Sequence, residues 1–101
     1  MLKEQTYNFQ SKLWLYKGGK TSWHFVTVPE EQSVQIKFLN EGMTAGWGSI
    51  PVNVTIGSTT WKTSIFPDKK STTYFLPIKA EIRKKECLKI DDNIAININI
   101  L

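Results

Sequence analysis

Few residues in this 101-residue sequence are of the types that carry out covalent chemistry. It holds one histidine, His24, and one cysteine, Cys87, and His24 can be grouped with Ser64 and Asp68 as a Ser/His/Asp set. No G-x-S-x-G motif surrounds Ser64, and a serine within a strand rarely meets a positioned base. We therefore predict no catalytic residue, and we expect Cys87 to be a small buried side chain.

Metal and cofactor sites are not indicated either. One histidine and one cysteine are too few for a zinc site. Gly46 and Gly48 flank Trp47, but they lack the spacing of a P-loop or of a dinucleotide fingerprint. We interpret them as an entry into a strand, with Trp47 covering one end of the fold, and we predict no metal and no cofactor.

A mixed aromatic and basic set is the strongest candidate for ligand binding, because large aromatic rings beside a few polar groups are typical of ligand clefts. Its members are Trp47, Trp61, Lys62, Ser64 and Arg83. Arg83 is the only arginine, and its guanidinium is suited to a bidentate pair with a carboxylate or a phosphate. An ion pair within the chain, to Glu81, Glu86 or Asp68, is the alternative.

The charge adds a second hypothesis about partners. The chain has a formal net charge of +4, and residues 57–101 hold eight basic residues against five acidic ones. Lysine and arginine attract phosphates without regard to sequence, so a nucleic-acid partner is consistent with this excess. We favour a solvated, mildly basic surface as the explanation, because no RNP, zinc-finger or helix-turn-helix motif is present.

Alternation of apolar and polar residues predicts strands along most of the chain. In the first half, about residues 1–56, the predicted strands are 7–15, 23–28 and 52–56. Pro29 follows the second strand and begins a helix, since a missing N–H costs nothing there. We expect that helix to bury Val34, Phe38 and Leu39.

The second half, about residues 57–101, repeats the same order of strand, strand, helix, strand. Its strands are predicted at 60–66, 74–78 and 94–100, with a helix over 80–88. A three-stranded unit with one helix leaves its edges unpaired, and two such units can close into a barrel. The predicted fold is mainly β: one domain over residues 1–101, a closed six-stranded barrel with two short capping helices.

Several motifs carry a resemblance to a known family. They are Trp23 to Glu30, WGSxPV from Trp47 to Val52, TxWxTSxFP ending at Pro67, Tyr74 to Pro77, and Arg83. With them the chain resembles domain-of-unknown-function family nineteen-oh-five, small bacterial and archaeal barrel domains. The resemblance implies a closed barrel related to the double-split barrels of the AbrB type, and no established activity. A Gly-Asp pair of the family is replaced here by Asp91-Asp92.

Taken together, the residues favour a non-catalytic module that binds a small anionic or polar ligand. A nucleic-acid-binding module of the AbrB-like type is the alternative, and a small enzyme using His24 or Ser64 is the third hypothesis. No apolar run approaches the roughly 20 residues that span a bilayer, and residues 1–10 lack a secretory signal. We therefore expect a cytoplasmic protein, a monomer or a homodimer, with no membrane partner.

Overall fold

A computed structural model describes residues 5–42 and 48–101 and has the predicted order of elements twice. Within those residues the elements are β1 (Thr6–Gly18), β2 (Thr21–Val28), α1 (Glu30–Leu39), β3 (Ile50–Ile56), β4 (Thr59–Pro67), β5 (Tyr74–Pro77), α2 (Ala80–Lys85) and β6 (Asn93–Ile100). The first hairpin turns at Gly19, which has a positive φ of 69°. Each half is therefore strand, strand, helix, strand, as the sequence predicts.

The six strands form a closed barrel in the order β1-β2-β5-β4-β3-β6. Every neighbouring pair is antiparallel. If β1, β2 and β3 are exchanged with β4, β5 and β6, the pairs β2–β5 and β3–β6 map onto themselves and every other neighbouring pair maps onto a neighbouring pair. The barrel therefore has the connectivity of a pseudo-two-fold arrangement, and closure gives each of the six described strands a neighbour on both sides.

Alternate side chains of each strand fill the barrel. On β6, Ile94, Ile96 and Ile98 are at most 4% exposed, and Ile100 packs partly buried against them. The isoleucines that alternate along this strand therefore form one inward face. Burying an aliphatic side chain of this size contributes roughly 1.5–3 kcal/mol. Ile36 of α1 and Ile82 of α2 belong to the same cluster, so both helices pack against the one core.

The predicted buried face of α1 is wrong. Val34, Phe38 and Leu39 are 50%, 75% and 52% exposed, whereas Ser33 and Ile36 are buried. Two hydrogen bonds between the Ser33 hydroxyl and backbone groups of neighbouring strands set this orientation. Its Oγ donates to the carbonyl oxygen of Val28 (2.9 Å) and accepts from the backbone N–H of Tyr74 (3.2 Å). The helix is thus rotated by a polar contact that apolar periodicity does not reveal.

Helix α2 ends at Lys85, three residues before the predicted end. Cys87 has a positive φ of 55°, and the backbone N–H of Leu88 donates to the carbonyl oxygen of Arg83 (2.8 Å). This is a Schellman-type helix end, in which a left-handed residue stops the helix and satisfies its last carbonyls. Cys87 is exposed there, so the prediction that it is a small buried side chain is wrong.

Candidate functional site

An aromatic groove lies on the outer surface of the barrel, across strands β1, β2, β5 and β4. The side chains that alternate with the core residues of these strands point outward, and β1 and β2 pair Trp14 with Phe25 and Tyr16 with Trp23. The groove encloses about 470 Å³. Its lining residues, which define the aromatic groove from here on, are Trp14, Tyr16, Trp23, Phe25, Phe66, Phe75 and Pro77.

Ring contacts fix the floor of the aromatic groove and leave its rim exposed. The ring centroid of Phe25 lies 5.2 Å from that of Trp14 and 5.6 Å from that of Phe75. The indole N–H of Trp14 donates to the Oγ1 of Thr27 (2.9 Å), which satisfies its polar atom. The rim consists of Tyr16, Trp23 and Phe66, which are 53%, 53% and 41% exposed. Large apolar area is therefore open to solvent above a fixed base, as expected of a binding surface.

A second pocket, of about 340 Å³, continues from one end of the aromatic groove and shares Trp23, Phe66 and Pro77 with it. Its other lining residues, which define the arginine pocket, are Ser22, His24, Thr63, Ile78, Lys79, Ala80 and Arg83. Two of these residues are cationic and none carries a carboxylate. An apolar surface thus meets a positively charged pocket at the start of α2.

Two neutral groups hold Arg83 in the arginine pocket. Its Nε–H donates to the carbonyl oxygen of Ile78 and its Nη1–H donates to the Nε2 of His24, each over 3.2 Å. Within residues 5–42 and 48–101, no carboxylate oxygen lies within 4.0 Å of its guanidinium. Positive charge in this pocket is therefore not neutralised by the described part of the chain.

The carboxylates that the sequence offered as partners for Arg83 are engaged elsewhere. Glu81 lies 3.8 Å from the Nζ of Lys85. Glu86 accepts a hydrogen bond from the Thr59 hydroxyl (2.6 Å). Asp68 accepts hydrogen bonds from the backbone N–H of Lys70 and the hydroxyl of Ser71 within its own turn. The ion pair considered as the alternative is not formed in the structure.

His24 is neutral in this arrangement. Arginine has no acceptor, so the contact with Arg83 requires the Nε2 of His24 to accept, and this places the imidazole proton on Nδ1. Burial lowers the pKa of His24 from its ordinary value, and the positive charge of Arg83 lowers it further. The imidazole is therefore uncharged near pH 7, and the cations of the arginine pocket are Arg83 and Lys79.

The members of the predicted site that the structure describes are not brought together. Trp61 lies opposite Val54 in the register of β3 and β4 and packs against the core. Its buried indole N–H has no hydrogen-bond partner among residues 5–42 and 48–101. Lys62 follows it, so it faces outward and is exposed. Trp47 lies outside the described residues. Of the described members of the predicted set, Arg83 alone lines the arginine pocket.

Ser64, the remaining member, is not among the residues that line the aromatic groove or the arginine pocket. It lies opposite Pro51 on β4. No hydrogen bond joins it to His24 in the part of the chain that the structure describes. The Ser/His/Asp set considered from the sequence is therefore not assembled.

The rings of the aromatic groove were missed by the sequence reasoning, although a signal for them was present. Trp14 and Tyr16 are two residues apart, as are Trp23 and Phe25, on either side of the hairpin turn. Because side chains two apart share a face of a strand, each pair lies on one face of its own strand. The register of the hairpin then places the two pairs side by side. The outward direction of that surface, and the addition of Phe75, depend on the pairing of β2 with β5.

Among residues 5–42 and 48–101, no group of three or more His, Cys, Asp or Glu side chains is arranged to hold a metal ion. Neither of the described helices has the length and apolar character needed to cross a membrane.

Comparison with known proteins agrees with the motifs and the barrel. No curated protein matches the sequence. The model of the family described as Domain of unknown function (DUF1905) matches residues 9–98, which is most of the chain. This is the family that the motifs from Trp23 to Arg83 resemble, and its match includes every strand of the barrel except the first residues of β1 and the last residues of β6. The chain therefore belongs to the domain-of-unknown-function family DUF1905.

Proposed function

We propose that the protein is a non-catalytic binding module for a small ligand with an apolar or aromatic body and an anionic group. The body lies in the aromatic groove and the anionic group lies at Arg83 in the arginine pocket. The observation that carries the proposal is a guanidinium that no carboxylate of the described residues pairs with, placed at the end of a groove of exposed rings. The proposal keeps Arg83 from the predicted site and replaces Trp61, Lys62 and Ser64 by the groove aromatics.

The two parts of the site supply different contributions to affinity. Each ring that a ligand covers removes apolar area from water, at roughly 25 cal/mol per Å². A hydrogen bond to a charged group contributes about 1.5–3 kcal/mol. The Nε–H of Arg83 and one Nη1–H are already used, so the remaining guanidinium N–H groups are the ones available for the anion. The rings therefore provide most of the contact area, and Arg83 provides selection for charge.

A pair of fluorescent probes tests this division. 1-Anilinonaphthalene-8-sulfonate has an aromatic body and a sulfonate, and N-phenyl-1-naphthylamine has the same body without the charge. We expect Arg83→Gln to weaken the sulfonate probe by roughly tenfold, the loss of about one charged hydrogen bond, and to leave the uncharged probe unchanged. We expect Trp23→Ala to weaken both probes, because Trp23 is an exposed ring of the rim.

Lys62→Gln is the matched control, since it removes one positive charge as Arg83→Gln does. Lys62 is exposed and lines neither the aromatic groove nor the arginine pocket. It should leave both affinities at the wild-type level. An equal effect of Lys62→Gln and Arg83→Gln on the sulfonate probe would overturn the assignment of the anion to Arg83. Circular dichroism of each variant establishes that the comparison is made between folded proteins.

Single-stranded nucleic acid is a second candidate, supported by the same exposed rings. Bases stack on aromatic side chains, at about 1–3 kcal/mol per base, while cations near the rings contact phosphates. Tyr16, Trp23 and Phe66 are exposed. Lys79 and Arg83 line the arginine pocket together with Trp23 and Phe66. Anisotropy of a labelled thymidine oligonucleotide should then fall with rising salt and with Trp23→Ala. Binding that stays constant as salt is raised would exclude phosphate contacts.

The cytoplasmic location and the choice between a monomer and a homodimer remain predictions from the sequence. Sedimentation of the purified protein, with and without the sulfonate probe, distinguishes the two assembly states directly.

A further inference from the structure

We propose that binding of an anion in the arginine pocket is coupled to protonation of His24, so that the module binds its ligand more tightly as the pH falls. This inference rests on the proposed function and adds to it how the site is regulated. It follows from the contact between Arg83 and His24 and from the identity of the groups around them.

The hydrogen bond between Arg83 and His24 forms only when the imidazole of His24 is neutral. The guanidinium donates at every pH of interest, so the Nε2 of His24 must carry a lone pair for the 3.2 Å contact to be a hydrogen bond. Protonation at Nε2 removes that lone pair and turns the acceptor into a donor. The hydrogen bond is then lost, and two positive charges face each other across the pocket.

The groups that surround His24 make this state unfavourable in the absence of a ligand. From α2 and the residue before it, the arginine pocket receives the cations Arg83 and Lys79. From β4 it receives Thr63, and from the end of β5 it receives Pro77 and Ile78, none of which titrates. On β1 the residue paired with His24 is Leu15. Within the described lining residues no carboxylate offsets the charge of a protonated imidazole.

A bound anion supplies the missing negative charge. It lies between the guanidinium and the imidazole, accepts hydrogen bonds from both, and so favours the protonated form of His24. The pKa of His24 is lowered in the free protein by burial and by Arg83, and the anion raises it again. The bound state therefore holds more protons than the free state wherever the pH lies between the two pKa values. Linkage then requires the affinity to rise as the pH falls through that interval.

The sulfonate probe is suited to the test because its charge does not change between pH 8 and pH 5.5, so a change in affinity reports on the protein. We expect the probe to bind roughly three- to tenfold more tightly at pH 5.5 than at pH 8, because the bound state takes up a proton over this interval. The uncharged N-phenyl-1-naphthylamine should bind equally at both values. His24→Gln keeps a hydrogen-bond acceptor for Arg83 and does not titrate, so it should bind the sulfonate probe with the same affinity at both values.

Nuclear magnetic resonance measures the coupled proton directly. His24 is the only histidine of the chain, so one Hε1 resonance reports its titration. The titration midpoint should move to higher pH when the sulfonate probe is added and stay in place when the uncharged probe is added. An unchanged midpoint with the sulfonate probe bound, or the same pH dependence of affinity in His24→Gln, would overturn the coupling.

Failure of the coupling and failure of the proposed function give different results. If Arg83→Gln binds the sulfonate probe as tightly as the wild type at every pH, the anion is not held at Arg83 and the proposed function itself falls. If Arg83→Gln weakens binding of the sulfonate probe but the affinity of the wild-type protein does not depend on pH, the site stands and the coupling to His24 is refuted.

Discussion

Cys87 and Asp91 each have a left-handed backbone conformation that a residue with a Cβ atom rarely adopts. Both have a positive φ, 55° at Cys87 and 73° at Asp91, where a Cβ atom crowds the backbone and glycine is favoured. Asp91 stands where the resembled family has the glycine of its Gly-Asp pair. The following carboxylate, Asp92, accepts a hydrogen bond from the backbone N–H of Lys89 (2.9 Å) and supports the turn. The chain therefore keeps the glycine-type geometry of this turn without the glycine.

We predict that Cys87→Gly stabilises the protein. Relief of the left-handed strain, offset by the greater entropy of glycine in the unfolded chain, should raise the free energy of unfolding by about 0.5–1 kcal/mol. Cys87→Ala removes the thiol and keeps the Cβ atom, so it is the matched control and should change stability by less than that amount. Chemical denaturation measures both. Equal effects of the two substitutions would show that the backbone conformation is not the cause.

Arg83 shows how far single residues could be assigned from the sequence. Its chemistry marked it as a ligand contact because it is the only arginine, and the structure places it in a charged pocket. Trp61 and Lys62 do not form one site with Arg83, because neighbouring residues of a strand point to opposite faces. That separation follows from the alternation in the sequence itself. The contact of Arg83 with His24 could not be predicted, since 59 residues separate them.

At the scale of elements, α1 is held by a hydrogen-bonded serine as well as by apolar packing. Ser33 connects the helix to β2 through Val28 and to β5 through Tyr74. The existence of the helix could be predicted from Pro29 and the acidic residues after it. Its rotation could not, because a buried serine that bonds to two strands breaks the apolar pattern on which helix faces are predicted.

We predict that Ser33→Ala destabilises the protein by about 1–3 kcal/mol, because the backbone N–H of Tyr74 would remain buried without its partner. Gln35→Ala is the control, since Gln35 lies exposed on the same helix. It should change the free energy of unfolding by less than about 0.5 kcal/mol. Thermal unfolding of the two variants beside the wild type measures the difference. A loss as large for Gln35→Ala as for Ser33→Ala would contradict the role of the serine.

At the scale of the whole molecule, the six strands do not hold one another equally. Seven residue pairs join β3 to β4, but only two pairs, Phe66 with Phe75 and Pro67 with Tyr74, join β4 to β5. Proline has no N–H to donate to the ladder. The equivalent seam of the first half, between β1 and β2, has six pairs. The closed barrel and its repeat could be predicted from alternation and repetition, whereas this inequality between seams could not, because register is set by packing.

We predict that the barrel opens first between β4 and β5. Amide protons of β5 should exchange with solvent faster than those between β3 and β4, since local opening requires fewer hydrogen bonds to break. Hydrogen exchange followed by nuclear magnetic resonance measures this for each strand. Slower exchange on β5 than on β3 would show that contacts other than the backbone ladder hold the seam closed.

The exchange symmetry of the strands has a consequence for stoichiometry. The strand set β1, β2, β5 and β4 maps onto itself when the halves are exchanged, so the aromatic groove is shared by both halves. Four of its lining residues come from the first half and three, Phe66, Phe75 and Pro77, come from the second. The doubling of the structural unit thus produces one composite site and not two equivalent ones. A calorimetric titration should accordingly saturate at one probe molecule per chain.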